Sequence, residues 1–375
     1  MRTVLVSIYI DPEFYPPTKN AIFELAKTYE KVFVLTRNLY AQEKHDYPEN
    51  VELVKSGKFS TVQESEKRSI FSKILSFLGF WFRYQQLSLM NSVEVVLLYD
   101  AIPLFAFFIS LKKKKIKFWY HNHDMPDIQL TRKFSIGWLS AKYEQSAMKK
   151  IDYFSLPSKD RLVYYPNWNR TEDFFYIPNY PRKNLLKSIK SDNRFDRFTI
   201  IFQGAIGPGH AIEDVIQLLP NLPEVDFILK GPVRNDYKEK INSLIQTHKV
   251  ENQVKWVGLT SYTELIRLTM KCHFGIAVHQ GRDEVSKTLG TASNKIYEYL
   301  ASGLPVLLHD NEQFRKSLGS KPWLFYYNGD TAHLENYIKQ VQINFRELSS
   351  YSFLDFEENY CFEPYFLNAL KFIHA

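Results

Sequence analysis

Cysteine is almost absent from this chain of 375 residues, which contains only Cys272 and Cys361. Two cysteines without the short spacing of metal ligands favour a reducing compartment over a disulfide framework. Residues 1–10 are too short for the apolar core of a signal peptide and lack a small-residue cleavage site. The sequence therefore predicts a cytoplasmic protein, and the sequon at residues 169–171 is interpreted as a chance match.

An uninterrupted apolar run of membrane-spanning length is also lacking. The best candidate is residues 93–111, which precede four consecutive lysines but contain Glu94, Asp100 and Pro103. Charged side chains near the centre of a bilayer cost several kcal/mol. We therefore interpret this stretch as a buried strand, a loop at Asp100 and a short helix.

Negative charge is scarce in the first half of the chain. Residues 1–183 carry 27 lysines and arginines against 19 aspartates and glutamates, whereas residues 184–375 carry 21 against 22. A basic half can face nucleic acid, an anionic membrane or a phosphorylated substrate. The lysines are dispersed and no stacking-aromatic motif accompanies them, so the sequence argues against nucleic acid.

What the chain has in quantity is apolar residues, at 45%, in strand-like runs that alternate with helix-like runs. This alternation predicts parallel α/β sheets with crossover helices. The length exceeds that of a single growing core, so two domains are expected. The predicted strands are 3–10, 31–36, 51–55, 93–99, 116–120 and 152–156, then 199–203, 225–230, 253–257, 274–278, 305–309 and 324–327.

The most informative segment is residues 293–308. Its pattern predicts a polar loop, a two-turn helix with Glu298 on the exposed side, a glycine stop at Gly303 and a buried strand. This order brings a carboxylate and helix-start amides to the carboxyl edge of a parallel sheet, where nucleotides bind in open α/β folds.

The segment Ser-Asn-Lys-Ile-Tyr-Glu-Tyr-Leu-Ala-Ser-Gly-Leu resembles the C-terminal motif of the group 1 (family 4-like) glycosyltransferases, retaining enzymes of the GT-B fold. The resemblance implies two doubly wound Rossmann-like domains that face across a cleft. We expect an acceptor domain at 1–183, a nucleotide-sugar domain at 184–352 and a C-terminal helix at 353–375 that packs back on the first domain.

The same resemblance implies donor-binding roles. Glu298 would hold the ribose, Lys295 would contact phosphate, and Asn294 and Ser293 would offer polar groups near the sugar diphosphate. The family's first acidic residue, eight positions before the ribose glutamate, is replaced here by Gly290. The base is expected near residues 231–234 and 258–260.

A glycine-containing loop follows the predicted strand 199–203. Glycines after a strand let the backbone approach a diphosphate closely, and the next helix start adds N–H groups. The Arg and Lys that the family places here are absent, so the diphosphate must be neutralised elsewhere. The donor-binding candidates in and beyond this loop are Gly204, Gly207, Gly209, His210, Lys295, Arg234 and Arg282.

Titratable residues cluster after the predicted strand 116–120. The family has a His beside the donor sugar, often followed by an acid, and His123-Asp124 matches it best. We predict His123, Asp124 and Asp100 as catalytic and His121 as acceptor-binding. A zinc site at His121, His123 and Asp124 is the alternative, although no other ligand pairs with them.

The start of the first domain departs from the family. Its usual glycine-rich first loop is replaced by residues 11–18, which predicts a stiffer, aromatic acceptor wall containing Asp11 and Tyr15. Asp11 and Asp100 each close a strand, where an aspartate also commonly caps a helix. Both interpretations remain open for these two residues.

A helix is predicted over residues 69–90, with Phe71, Leu75 and Phe82 among its regularly spaced apolar positions. It either packs into the core or lies on an anionic membrane surface. The second interpretation suits a lipid-linked acceptor and a peripheral location on the inner face of the membrane.

The function that follows is transfer of a sugar from a nucleotide diphosphate sugar to a glycan or lipid-linked acceptor, with retention, in bacterial surface polysaccharide biosynthesis. The resemblance implies no cofactor and no essential metal. Two rivals remain open. One is an inverting GT-B enzyme or a sugar epimerase; the other is a catalytically silent nucleotide-sugar or glycan-binding partner of another transferase.

Overall fold

The computed structural model describes residues 2–39, 47–90, 92–111, 115–123, 125, 131–184, 189, 193–280 and 292–375. The chain divides into two compact units. Unit 1 comprises residues 1–179 and 362–375, and unit 2 comprises residues 180–361. The sequence placed these divisions at 183/184 and at 352/353.

Unit 1 is built on a parallel sheet whose seven described strands are mostly buried. Buried strands in a parallel sheet are covered by crossover helices on both faces, which explains their apolar runs. The strands are β1 (Thr3–Ile8), β2 (Lys31–Arg37), β3 (Val51–Ser56), β4 (Val93–Tyr99), β5 (Lys117–His121), β6 (Tyr153–Leu156) and β7 (Phe174–Tyr176), in the order β3-β2-β1-β4-β5-β6-β7.

The helices of unit 1 follow the strands in alternation, as the sequence predicts. Short 3₁₀ turns occur at Pro12–Phe14 and Lys159–Tyr164. The helices are α1 (Pro16–Thr28), α2 (Val62–Lys67), α3 (Ile70–Ser88), α4 (Ala101–Phe108), α5 (Ile136–Met148) and, from the end of the chain, α12 (Phe362–His374).

Unit 2 contains a second parallel sheet, with six described strands. The strands are β8 (Phe198–Gln203), β9 (Val225–Lys230), β10 (Val254–Val257), β11 (Phe274–Ala277), β12 (Val306–His309) and β13 (Leu324–Tyr327), in the order β10-β9-β8-β11-β12-β13. The helices are α6 (Ile212–Leu218), α7 (Asn235–His248), α8 (Tyr262–Lys271), α9 (Asn294–Ala301), α10 (Glu312–Leu318) and α11 (Thr331–Asn359), with a 3₁₀ turn at Leu219–Asn221.

The strand order reverses once in each sheet, between β1 and β4 in unit 1 and between β8 and β11 in unit 2. In doubly wound sheets the crossovers diverge at this switch point and leave a crevice beyond the carboxyl ends of the strands. The two crevices are the places where the fold can receive ligands.

The predicted fold class, two doubly wound Rossmann-like domains, is confirmed. The predictions for β4, β9 and β13 are correct in both bounds. The sequence missed β7, which has only three residues. At the carboxyl end, the residues expected to form a helix from 353 instead complete α11, and α12 begins at Phe362.

Two further expectations concern membranes and thiols. Among the described residues, no helix is both long and apolar enough to cross a bilayer. Residues 93–99 form a strand, Asp100 follows it, and α4 comes next, as interpreted from the interrupting polar residues. Cys272 and Cys361 are both buried, and burial raises the pKa of the Cys272 thiol.

Candidate active site

The centre of the unit 2 crevice is the carboxylate of Glu298. Its helix α9 follows β11, and the side chain reaches across the switch point to the end of β8. Gln203 Nε2 donates to Glu298 Oε2 at 2.5 Å, and Tyr262 forms a second side-chain hydrogen bond. Thr269 Oγ1 donates to Gln203 Oε1 at 2.8 Å, which fixes the orientation of that amide.

Glu298 is 4% exposed, so the prediction that it lies on the exposed side of its helix is wrong. The helix itself is buried between neighbouring elements, and its carboxylate is covered by side chains that are distant in sequence. Burial raises the pKa of Glu298 to about 7. Sequence analysis missed Gln203 and Tyr262. Gln203 could have been recognised as a candidate, because it is a single amide side chain at the end of the apolar strand β8.

Lys295 lies one turn before Glu298 on α9. Its Nζ lies 4.4 Å from the centre of the Phe202 ring and would lie 3.5 Å from a Cβ atom added to Gly204. Burial lowers its pKa to about 8 against the opposing influence of Glu298. A mostly desolvated ammonium beside a bare stretch of backbone is suited to contact an anion.

The loop after β8 depends on glycine at two positions. Gly204 has φ +120°, and Gly231, with φ +136°, lies so close that an added Cβ would be 2.0 Å from the Gly204 carbonyl oxygen. A parallel bridge joins Ile206 to Val233. Any side chain at residue 231 would displace the Gly204 backbone from the crevice.

His210 lies in this loop and is held by the end of β11. Its Nδ1 donates to the Val278 carbonyl at 2.8 Å, and burial lowers its pKa to about 4. The imidazole is therefore neutral at pH 7. It can offer hydrogen bonding to a ligand but not the positive charge that the sequence analysis considered for it.

The remaining donor-binding candidates differ in position. Ser293 and Asn294 begin α9, and the buried Asn294 Oδ1 has no hydrogen-bond partner among the described residues. Gly207 and Gly209 lie in the loop before α6, where the Gly209 carbonyl accepts from the Gln280 amide at 2.9 Å.

Arg234 is 85% exposed and pairs with Asp236 at the start of α7. Arg282 and Gly290 lie outside the described residues, as does Asp124 of unit 1.

In unit 1 the strand ends bring Asp100 and His123 together. The His123 amide donates to Asp100 Oδ1 at 2.8 Å, and His123 Nδ1 lies 3.4 Å from Asp100 Oδ2. Asp100 has φ +66°, an uncommon conformation for a residue with a side chain, and it does not cap α4. Such strain concentrates at functional sites.

Aromatic rings enclose His123. Tyr99 stacks on its imidazole with ring centres 4.7 Å apart, Tyr15 lies at 5.1 Å, and Thr18 Oγ1 is 3.3 Å from Nε2. His121 lies behind it, with Nδ1 2.8 Å from Ser155 Oγ. Burial holds the pKa of His121 well below its usual value.

A buried carboxylate that sequence analysis missed supports this loop. Glu144 of α5 accepts from the Tyr120 hydroxyl, from Asn122 Nδ2 at 2.9 Å and from the Tyr165 hydroxyl at 3.4 Å. Burial raises the pKa of Glu144 to about 7. Its four-residue spacing from Ser140 and Met148 on a helix resembled an ordinary core face and gave no functional signal.

Asp11 and Tyr15 also lie at this edge. Asp11 is buried and its Oδ1 accepts from the Glu13 amide at 3.1 Å, which is the capping arrangement considered for it. Tyr15 lines a pocket of about 360 Å³ that also contains Asp100, Tyr99 and Arg37. Within the described ranges, no three His, Cys, Asp or Glu side chains are arranged to hold a metal ion.

Residues 187–345 match the family model of the glycosyl transferases group 1. No curated protein matches the chain by sequence. A sucrose-phosphate synthase from Thermosynechococcus elongatus is similar in structure over 100% of this chain and 98% of its own, with a TM-score of 0.72 and 11% identity.

Two other solved structures share the fold. The Anabaena protein HepE, in complex with UDP and glucose, covers 100% of both chains with a TM-score of 0.70 and 14% identity. The lipopolysaccharide outer core galactosyltransferase WaaB, in its apo form, covers 99% of both chains with a TM-score of 0.55 and 14% identity. The likeness to glycosyl transferases group 1 thus lies in unit 2, and these solved structures show the two-domain GT-B fold over the whole chain.

Proposed function

We propose that the protein transfers a sugar from a nucleotide diphosphate sugar to a glycan or lipid-linked acceptor, with retention at the anomeric carbon. We further propose that it acts in bacterial surface polysaccharide biosynthesis at the inner face of the membrane. The observation that carries the donor assignment is the buried carboxylate of Glu298 at the switch point of unit 2.

A buried carboxylate is stable only when its oxygens are satisfied. Glu298 receives hydrogen bonds from two neutral groups, Gln203 and Tyr262, and a carboxylate offers about four acceptor sites. The neighbouring hydroxyls of a ribose would fill the sites that remain. This pairing gives a reason for keeping a carboxylate where burial disfavours its charge.

The diphosphate would lie against the backbone at Gly204 and the ammonium of Lys295. Both are close enough to share one ligand, because Lys295 Nζ lies beside the place of a Gly204 side chain. The unpartnered Asn294 Oδ1 adds an acceptor for a hydroxyl at the same helix start. A fixed positive charge here would stabilise the diphosphate as it leaves, which is where charge develops in the reaction.

For the edge of unit 1 we propose the acceptor-side chemistry. Asp100 orients His123 through both its backbone and its ring, and Tyr15 borders the pocket beside Asp100. In a retaining transfer the bond from the anomeric carbon to phosphate breaks while the acceptor oxygen bonds on the same face. The acceptor proton passes to the leaving phosphate, so positioning contributes more than an acid–base pair.

The neighbours suggest which ligands to test first. HepE has been solved with UDP, with UDP and glucose, and with UDP-glucose. WaaB is a transferase of the lipopolysaccharide outer core. These facts support a uridine nucleotide as the first donor class to test and a surface glycan as the first acceptor class.

The first experiment is a thermal-shift titration of the parent protein and Glu298→Gln with UDP, GDP, CDP, ADP and TDP. Glu358→Gln, an exposed carboxylate of unit 2, is the matched control. A nucleotide at about 100 times its dissociation constant adds roughly 2.7 kcal/mol of stability. We expect one nucleotide to stabilise the parent and the control but not Glu298→Gln; equal stabilisation of all three would reject the ribose assignment.

The stereochemistry is tested next, with the matching nucleotide sugar and a membrane extract as acceptor source. NMR of the product should show the anomeric configuration of the donor. An inverted product would instead support the inverting rival. Nucleotide binding with no transfer to any acceptor and no epimerised sugar would support a silent binding partner.

We also propose that transfer needs no essential metal. Activity should survive dialysis against EDTA. If activity is lost and returns with a divalent cation, this proposal fails while the donor assignment stands.

A further inference from the structure

A second pocket of unit 1, of about 320 Å³, is lined by cationic side chains from three separate segments. No aspartate or glutamate is among its described lining residues. We call it the cationic pocket and define it by Arg37, Arg68, Lys73, Arg132 and Lys133. Like charges that line one small volume repel one another, and an anion at its centre would relieve that repulsion.

Arg37 is the most constrained member of the cationic pocket. Its Nη2 donates to Ser65 Oγ, and its guanidinium lies 4.7 Å from the centre of the Tyr9 ring. Burial lowers the pKa of Arg37, and the nearby charge of Arg68 lowers it further. Glu64, the carboxylate that caps α2, is the acidic neighbour of Arg68 but does not line the pocket. A held guanidinium beside a second one is suited to bind phosphate oxygens in pairs.

Two helices begin at the pocket. Ser69 caps α3 and Ser135 caps α5, and the first turn of each helix contributes lining residues. Their backbone dipoles add to the positive potential produced by the side chains. The side-chain charges remain the main term, because the dipoles contribute only partial charges.

Exposed apolar side chains adjoin the cationic pocket: Ile70 and Ile74 of α3 line it and are 44% and 36% exposed. On α3, Phe71 is 81% exposed and Leu75 is 69% exposed, whereas the core face of the same helix contains Phe77 and Phe80. Phe134, between Lys133 and α5, is 76% exposed and adopts φ +63°, a strained conformation for a bulky residue. The core interpretation of α3 is therefore confirmed for one face of the helix, and the membrane-surface interpretation stays a prediction for the exposed face.

The cationic pocket adjoins the pocket that contains Asp100 and Tyr15. The two share the lining residues Tyr9, Arg37, Ser65, Ile102 and Gly137. An anionic group bound to Arg37 would therefore lie beside the proposed acceptor position. An apolar chain attached to that group could leave over Phe71 and Leu75.

We propose that the cationic pocket binds the diphosphate of a membrane lipid that carries the acceptor glycan, with its hydrocarbon chain along the exposed face of α3. This inference rests on the proposed function and names its acceptor class. Charge complementarity selects the diphosphate, and the exposed apolar side chains that adjoin the pocket select a lipid over a soluble sugar phosphate.

The test measures flotation of the full chain with vesicles. Phosphatidylcholine vesicles contain either a long-chain isoprenyl diphosphate or phosphatidylglycerol at equal total charge. Inorganic pyrophosphate is the soluble competitor. The pocket variant is Arg68→Gln/Arg132→Gln, and the matched control is Arg83→Gln/Lys149→Gln, which removes the same charge from α3 and from the residue after α5 without touching the pocket.

We expect the parent to prefer diphosphate vesicles by at least about tenfold, and the pocket variant to lose that preference. The control should retain it, and pyrophosphate should compete. Equal binding to both kinds of vesicle, or equal loss in the variant and the control, would indicate general attraction to anionic surfaces and overturn the proposal. Strong binding of pyrophosphate without any binding of diphosphate vesicles would show a soluble anion as ligand and overturn the lipid.

A second double variant tests whether the exposed face of α3 binds the hydrocarbon chain of the lipid. Phe71→Gln/Leu75→Gln should weaken vesicle flotation about tenfold but leave the affinity for a short, water-soluble isoprenyl diphosphate unchanged. Loss of both vesicle flotation and affinity for the short diphosphate would contradict the proposal that the head group and the hydrocarbon chain bind to different residues. Nucleotide binding by each variant is measured by thermal shift, so failure of the donor assignment is recognised separately.

Discussion

At the scale of single residues, the Glu298 site is controlled by two buried ionisable groups with shifted pKa values. Burial raises the pKa of Glu298 to about 7 and lowers that of Lys295 to about 8. In the proposed complex the first must be a carboxylate and the second an ammonium. The range of pH in which Glu298 is ionised while Lys295 is protonated is therefore narrow.

A plot of nucleotide affinity against pH should accordingly be bell-shaped. Below about pH 7 Glu298 takes up a proton, and affinity should fall roughly tenfold per pH unit; above about pH 8 Lys295 loses its proton, and affinity should fall again. Calorimetric titration across this range checks the shape. Lys295→Met should lack the alkaline limb and keep the acid limb, and a flat parent profile would contradict the assignment.

Ionisation of Glu298 should lower the free energy of unfolding of the ligand-free protein, although it raises the affinity for nucleotide. Because the folded pKa lies above the unfolded value near 4.5, the unfolded chain releases its proton first. The free energy of unfolding should then fall by up to roughly 3 kcal/mol as pH rises from about 4.5 to about 7.

Glu298→Gln removes that fall, so the variant should be more stable than the parent at pH 8 and should lose the advantage near pH 5. Urea unfolding at both values measures this. Glu358→Gln, on the surface, should follow the parent. A variant that is less stable than the parent at pH 8 would show that the carboxylate is well satisfied without ligand.

The sequence selected Glu298 and Lys295 as donor-binding candidates but did not predict the burial of Glu298. The helical period indicates which positions share a face, whereas burial of that face depends on Gln203 and Tyr262, which lie on other elements. The same limit applies to Glu144, whose partners Tyr120 and Tyr165 come from separate segments. Local patterns contain no information on such distant contacts.

At the scale of elements, α9 is fixed to the sheet by Tyr299. Its hydroxyl accepts from the Gln203 amide at 3.0 Å and lies 3.3 Å from the Ile201 and Ile276 carbonyls. Its ring occupies the space above Gly275, where an added Cβ would lie 2.4 Å from the ring carbons. The position of Glu298, one residue earlier, depends on this fit.

Gly275→Ala should therefore displace α9 and destabilise unit 2 by about 2 to 3 kcal/mol through overpacking. Nucleotide affinity should weaken with it. Chemical denaturation and calorimetry measure the two effects. Gly79→Ala, in α3, is the control, since its added Cβ would meet only Ser56 Oγ at an ordinary contact distance of 3.7 Å; equal losses in the two variants would contradict the steric argument.

Most elements could be predicted because their apolar runs are long and bounded by polar turns. β7 could not, since Phe174–Tyr176 is too short to show a period. The separation of α11 from α12 was also missed, because residues 353–375 are aromatic throughout and the break occupies only Tyr360 and Cys361. Element type follows from composition over many residues, and boundaries depend on a few.

At the scale of the whole molecule, the described residues of each unit contain a hydrophobic core cluster formed by that unit alone. In the proposed complex, the nucleotide would bind to the elements of unit 2 that surround Glu298. Hydrogen exchange with the matching nucleotide should therefore slow at residues 203–210 and 293–300. Protection that appears first in the sheet of unit 1, or that persists in Glu298→Gln, would contradict the placement of the donor site.

The charge excess of the first half was visible in the sequence, but its arrangement was not. Arg37, Arg68 and Arg132 are far apart along the chain. They line one pocket because the ends of β2 and α2 lie close to the start of α5. Composition thus indicated an anionic partner, and only the fold locates a pocket for it.

The two buried thiols have a practical consequence. Cys272 is 0% exposed and Cys361 is 6% exposed, so neither should react with a maleimide while the chain is folded. A cysteine introduced at Phe71 or at Glu358 would then be the single accessible label, with no need to remove native residues. Dyes placed at these two sites, in separate variants, would report vesicle insertion of α3 and nucleotide binding by unit 2 while both native cysteines are kept.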